Sequence, residues 1–152
     1  MNLISHWNRF KNLPGGKWLF SKALGFWIPY TGTMGARVVE FESGHAKLEL
    51  PYCRRVRNHL DSVHAVALMN LAELTSGLAM VGGLPPHLRG ILVQFRIEYL
   101  KKARGPLHAE VRCSIPTEAA TVTREVPVEI QNAENDTVCR AVATWQIGPK
   151  RK

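Results

Sequence analysis

One carboxylate stands alone in the apolar middle of this chain. Between Arg57 and Arg89 there is no lysine or arginine, and the only acids are Asp61 and Glu73. A carboxylate set among Leu71, Ala72, Leu74 and Leu78 must shift its proton affinity, reach water or find a distant partner. Such surroundings typify working acids and bases; the competing structural reading is an ion pair with an arginine from elsewhere in the fold. Upstream, Val63, His64 and Ala65 stand where a helix begins. The first N–H groups of a helix lack intrahelical acceptors and lie at the positive end of its dipole. They can hold a developing oxyanion, and the small Ala65 lets a carbonyl approach the backbone closely. The spacing then constrains the geometry. Since 73 − 65 = 8 residues, about 12 Å of helix at ~1.5 Å per residue separates the two groups. One carbonyl cannot touch both within one chain, whereas two antiparallel helices about a two-fold axis would bring Glu73 of one copy beside Ala65 of the other. The expectation is a homodimer or a dimer of dimers.

The elements that must position these groups follow from periodicity. Residues 61 to 81 predict the longest helix, with Asp61 or Ser62 as N-cap and Gly82-Gly83 followed by Pro85-Pro86 as the stop. Its apolar residues cover nearly the whole circumference, so surrounding structure must bury it, as a sheet curled around one helix would. Before it, residues 36 to 43 and 45 to 52 predict two strands turning at Ser43-Gly44, the second ended by Pro51. After it, Ile91, Val93, Phe95, Ile97 and Tyr99 are expected to share one face, and Ala109, Val111, Cys113 and Ile115 another. Val126, Val128 and Ile130, then Cys139, Ala141, Ala143, Trp145 and Ile147, continue the period of two. The order is helices, two strands, a buried helix, four strands, an α+β class. Residues 1 to 30 hold Trp7, Phe10, Trp18, Phe20, Phe26, Trp27 and Tyr30 and are broken at Pro14-Gly15-Gly16, which predicts two short helices. This N-terminal helical extension is read as packing on the domain formed by residues 31 to 152. Its aromatics serve as a wall or lid for an apolar channel, or as a membrane-surface anchor.

Composition excludes several classes. At 152 residues the chain supports a core without staples. Cys53, Cys113 and Cys139 are odd in number and far apart, arguing against a disulfide framework and for a reducing, cytoplasmic setting. No apolar stretch with a cleavage site opens the chain, so no secretory signal is expected. The net charge of +8 favours anionic partners, yet no basic-aromatic interleaving or helix-turn-helix pattern points to nucleic acid. His59 and His64 lack the helical spacing of a zinc motif, so no metal is expected.

Asn58, then His64-Ala65, then Glu73 in an apolar helix resembles the hotdog-fold acyl-CoA thioesterases of the 4-hydroxybenzoyl-CoA and phenylacetate-pathway type. The strand Phe95-Arg96-Ile97-Glu98-Tyr99-Leu100-Lys101 adds to the likeness, which covers roughly residues 36 to 147. The first 30 residues resemble the extension of an uncharacterised bacterial branch. The resemblance implies a curved antiparallel sheet wrapped around a central helix, with Glu73 as general base or nucleophile and the Ala65 N–H, with His64, binding the oxyanion. It implies that Asn58 orients water or the thioester, and that Lys101, Arg104 and Arg57 meet the phosphates of coenzyme A. Coenzyme A enters as part of the substrate, with no separate cofactor, and the partner is acyl-CoA or an acyl-carrier protein. Ala65 departs from the usual glycine, and Gly77 stands where some members carry a hydroxyl. The rival readings are a non-catalytic acyl-CoA or acyl-carrier binding protein and a hotdog hydratase or dehydratase.

Overall fold

A computed structural model describes residues 3–118 and 120–150; residues 1, 2, 119, 151 and 152, which fall within the segments drawn above, lie outside it. Two N-terminal helices, α1 (Leu3–Phe10) and α2 (Gly16–Trp27), are separated at the predicted Pro-Gly-Gly break, and a single turn, α3 (Pro29–Gly32), follows. Strands β1 (Arg37–Glu42) and β2 (His45–Leu50) form a hairpin whose Gly44 adopts φ 77°, a conformation that favours glycine. The long helix α4 (Ala65–Val81) leads to β3 (Leu88–Tyr99), β4 (Leu107–Arg112), β5 (Val122–Gln131) and β6 (Thr137–Pro149).

All strand pairings are antiparallel, in the order β1-β2-β4-β5-β6-β3. The sheet wraps α4, which touches every strand; this is the hotdog arrangement that the resemblance implied. The core lies between them. Leu68, Leu71, Leu78 and Met80 of α4 are buried against Leu48, Leu50, Val111, Val128, Ile130 and Ile147, each large side chain contributing about 1.5–3 kcal/mol by leaving water. The all-round apolar pattern of α4 is thus absorbed, except along one open line where Val66 and Met69 remain exposed and Glu73 is half-buried.

Two expectations need correction. Helix α4 begins at Ala65 rather than at 61, with His64 as N-cap. The residues before it are consumed by a turn: Asn58 Oδ1 accepts from Leu60 N (2.9 Å), Ser62 N (3.3 Å) and Ser62 Oγ (3.2 Å), and Asp61 takes φ 54°. Asn and Asp close such turns with their own side chains, in competition with helix. In β3 the alternation breaks at a bulge between Leu92 and Gln94. An extra residue there flips the strand's facing. Leu92 therefore pairs with Trp145, joining Phe95, Ile97 and Tyr99 on the helix side opposite Ala143, Ala141 and Cys139, while Ile91 lies opposite the exposed Gln146.

The two sheet edges differ. β1 is covered by α1 and α2, with Trp7 edge-on to Phe20 (ring centroids 5.1 Å apart) and to Phe41 of β1 (6.5 Å). Among the described residues β3 pairs with β6 alone and leaves Ile91 49 % and Val93 53 % exposed.

Candidate active site

The start of α4 supplies one free donor. Val63 N–H bonds the Ala103 carbonyl (2.8 Å) and His64 N–H the Val56 carbonyl (2.8 Å), so neither is available. Val66 N–H is taken by His64 Nδ1 (3.1 Å), which requires a lone pair there and places the neutral ring's proton on Nε2. Ala67 and Leu68 N–H both reach the His64 carbonyl. Of the three N–H groups expected to be unpaired, only that of Ala65 is left without an acceptor among the described residues. Ala65 is exposed, so the donor is open to a ligand. Tyr99, to which the sequence assigned a place in a strand but no role at the site, donates its hydroxyl to the Ala65 carbonyl (3.2 Å) and ties the helix end to β3. No local sequence signal marks it, since the contact depends on how β3 crosses the helix.

Glu73 lies two turns further along. Its carboxylate makes no ion pair or hydrogen bond among the described residues, and no arginine among them takes the place of a distant partner. Burial without a partner pushes its pKa above the ordinary glutamate value. Gly77, one turn on, opens space beside it that Trp145 borders. A methyl group on Gly77 would meet Glu73 Oε1 at 4.0 Å and the Trp145 ring at 3.3 Å. Trp145 Nε1 donates to Ser76 Oγ (3.3 Å), which donates to the Glu73 backbone carbonyl (2.9 Å), and Thr75 Oγ1 donates to the Leu71 carbonyl (2.7 Å). Both hydroxyls thus serve the backbone and neither reaches the carboxylate.

The remaining predicted residues divide into two groups. Arg57 Nη1 meets Asp61 Oδ1 at 2.7 Å and Arg104 Nε donates to the Asp61 carbonyl at 3.2 Å, so both cations converge on the 58–62 turn just before Ala65. Asn58 belongs to the same turn; its Oδ1 is occupied there, whereas its amide N–H₂ makes no hydrogen bond among the described residues. Lys101 points elsewhere and pairs with Asp136 at 3.2 Å. A separate cluster, buried His45 with Glu110 (2.9 Å) and Glu42 (3.3 Å), sits on the outer face of the β1–β2–β4 sheet, away from α4. Among the described residues no three His, Cys, Asp or Glu side chains converge to hold a metal ion, and no helix is long and apolar enough to cross a membrane.

Helix α4 therefore carries an open backbone N–H at Ala65 and, two turns on, a half-buried carboxylate at Glu73, both without a partner among the described residues and too far apart to meet one small group. Comparison with known proteins agrees with the fold. A structural-genomics protein designated APC5556 superposes with a TM-score of 0.84 at 30% identity, over 97% of this chain and 99% of that one. A hypothetical thioesterase of Streptococcus pneumoniae TIGR4, solved with coenzyme A, superposes with a TM-score of 0.64 at 24% identity, over 77% and 91%. A Halobacterium salinarum protein carrying a provisional esterase name, VNG_1336C, is 25% identical over 122 residues, 75% of this chain and 81% of that protein. The profile of a domain of unknown function, DUF4442, matches residues 16–147, nearly the whole of the wrapped sheet with α2, and on that match this hotdog protein belongs to the DUF4442 family.

Proposed function

We propose that two copies of this chain pair through β3 and the open line of α4 to form a hydrolase of acyl thioesters, acyl-CoA or acyl-carrier-bound. One observation carries the reading: Glu73 and the Ala65 N–H are each left unpaired on a single helix at a separation that only a second, antiparallel helix can close. The bare edge of β3 supports it, because an unprotected strand edge is a template for pairing. So do the coenzyme A held by the Streptococcus pneumoniae neighbour and the esterase name of the halobacterial relative.

In this site Glu73 takes a proton from water, and the resulting hydroxide adds to the thioester carbon. The Ala65 N–H of the other copy, backed by the positive end of its helix, holds the tetrahedral oxyanion. Collapse breaks the carbon–sulfur bond; the thiolate leaves with the proton Glu73 had taken, giving a free thiol, and the carboxylic acid product loses its proton to water. His64 fixes the helix start through its Nδ1 cap, and the free amide of Asn58 orients the water or the thioester. Arg57 and Arg104 bind coenzyme A phosphates beside the 58–62 turn, and Lys101 does so only on leaving Asp136. Direct attack by Glu73 is the alternative chemistry; single-turnover hydrolysis in labelled water would put the label into Glu73 only by that route.

The test is thiol release from a panel of acyl-CoAs by wild type and Glu73→Gln, with a no-substrate blank for the protein's own cysteines. Hydrolysis lost in the variant supports the reading. Tight acyl-CoA binding with no thiol released by wild type would make this a binding protein, and hydration of an enoyl-CoA would make it a hydratase.

A further inference from the structure

Helix α2 is apolar on two opposite sides. Inward, Phe20 and Leu24 are buried against β1. Outward, Trp18, Lys22 and Phe26 recur every fourth residue with Leu19 beside them, Trp18 being 55 % and Phe26 90 % exposed. Trp27 at the end of α2 and Tyr30 in α3 are exposed as well. The face is rigidly built, because α2 and α3 cross at Gly25 and Gly32, where any side chain would strike the other backbone. Large aromatic side chains left this exposed on one helix mark something that is bound there.

The charge around it identifies the partner. Residues 1 to 39 contain Arg9, Lys11, Lys17, Lys22 and Arg37 and no acid. Beneath Trp18 and Phe26 opens a cavity of about 490 Å³ carrying Lys22, Arg37 and Arg55 and no carboxylate in its lining. None of those three cations forms an ion pair among the described residues; Lys22 stands over the Trp18 ring at 5.7 Å. Aromatic side chains flanked by lysines, above an unneutralised cationic cleft, match the interfacial layer of an anionic bilayer: rings at the level of the headgroups, cations on the phosphates. We infer that the outer face of α2 and α3 docks on anionic membrane surface and carries the protein to lipid-borne amphiphiles. This stands independently of the thioesterase reading, since none of these residues takes part in the chemistry proposed above.

The experiment is co-sedimentation of the full chain with vesicles of phosphatidylcholine alone and of equal parts phosphatidylcholine and phosphatidylglycerol, with tryptophan fluorescence as a second readout. Binding is expected to the anionic vesicles, with a blue shift from Trp18 and Trp27, and is expected to fall with added salt. Lys22→Gln should weaken it about fivefold, and Trp18→Ser with Phe26→Ser by at least about tenfold. Both variants alter exposed side chains and should keep the wild-type circular dichroism. Binding that is absent, equal on neutral vesicles or untouched by these substitutions overturns the inference. So does a drop in oligomeric size in the double variant, which would make the face an interface between copies.

Discussion

The open N–H of Ala65 can be removed with almost no other change, by Ala65→Pro. Ala65 is the first residue of α4, the one helical position where proline is favoured, because its missing N–H would have no intrahelical acceptor. His64 sits at φ −63°, ψ 139°, the extended region that a residue before proline adopts. No backbone hydrogen bond is lost, and Tyr99 still finds the residue 65 carbonyl. Stability should therefore hold, or rise by about 0.4–1 kcal/mol through the stiffer unfolded chain. Turnover should not hold. Loss of one oxyanion donor costs about 10²–10³ in kcat, roughly 2.7–4 kcal/mol. The assay is kcat on the best acyl-CoA beside a urea unfolding curve, with Ala65→Gly as the control that keeps the N–H. A folded Ala65→Pro protein at full rate would refute the oxyanion assignment, as would a Gly variant that falls equally far.

Four further outcomes follow from the same geometry. Burial raises the Glu73 pKa, so kcat/KM should fall on acidification with a midpoint above the ordinary glutamate value, and a midpoint at or below it contradicts the base role. The same shift means that the protonated form favours the fold, with stability fully present below the unfolded pKa and lost as pH rises through the folded one; Glu73→Gln should thus be at least as stable as wild type at neutral pH in urea. Ile91→Lys with Val93→Lys places like charges on the bare β3 edge and should give an inactive monomer by light scattering, whereas an active dimer would move the interface elsewhere. Cys139 is buried and its thiol is pushed up to about 11, so it should resist a thiol reagent until the protein unfolds; rapid labelling in the native state would contradict its place between the sheet and α4.

Much of this was legible in the sequence because it rests on pattern. The isolation of Glu73 is a fact of composition, and the strands after α4 announce themselves by period. What was not legible depends on local competition or on distant contacts. The 61-to-65 shift of the helix start arises because Asn58 spends its side chain on a turn, which a run such as Asn-His-Leu-Asp-Ser does not distinguish from a capping segment. The bulge in β3 leaves no mark in a row of alternating apolar residues, so Ile91 and Leu92 exchanged faces. Val63 and His64 lose their N–H groups to Ala103 and Val56, partners remote in the chain, and so one donor remains where three were expected. The aromatics of residues 1 to 30 split in two: Trp7 and Phe20 enter the core, while Trp18 and Phe26 turn outward, a division set by where α2 meets β1.

The central claim is that Glu73 of one copy and Ala65 of another build a single thioester site, and subunit complementation tests it most directly. Glu73→Gln and Ala65→Pro, each inactive alone, are mixed in equal amounts under conditions that exchange subunits, with exchange verified by native mass spectrometry of differently tagged chains. Half of the dimers are then mixed, each holding one intact site of two, so about one quarter of the wild-type rate per protomer should return. Verified exchange with the rate still at the level of the inactive parents would contradict the account.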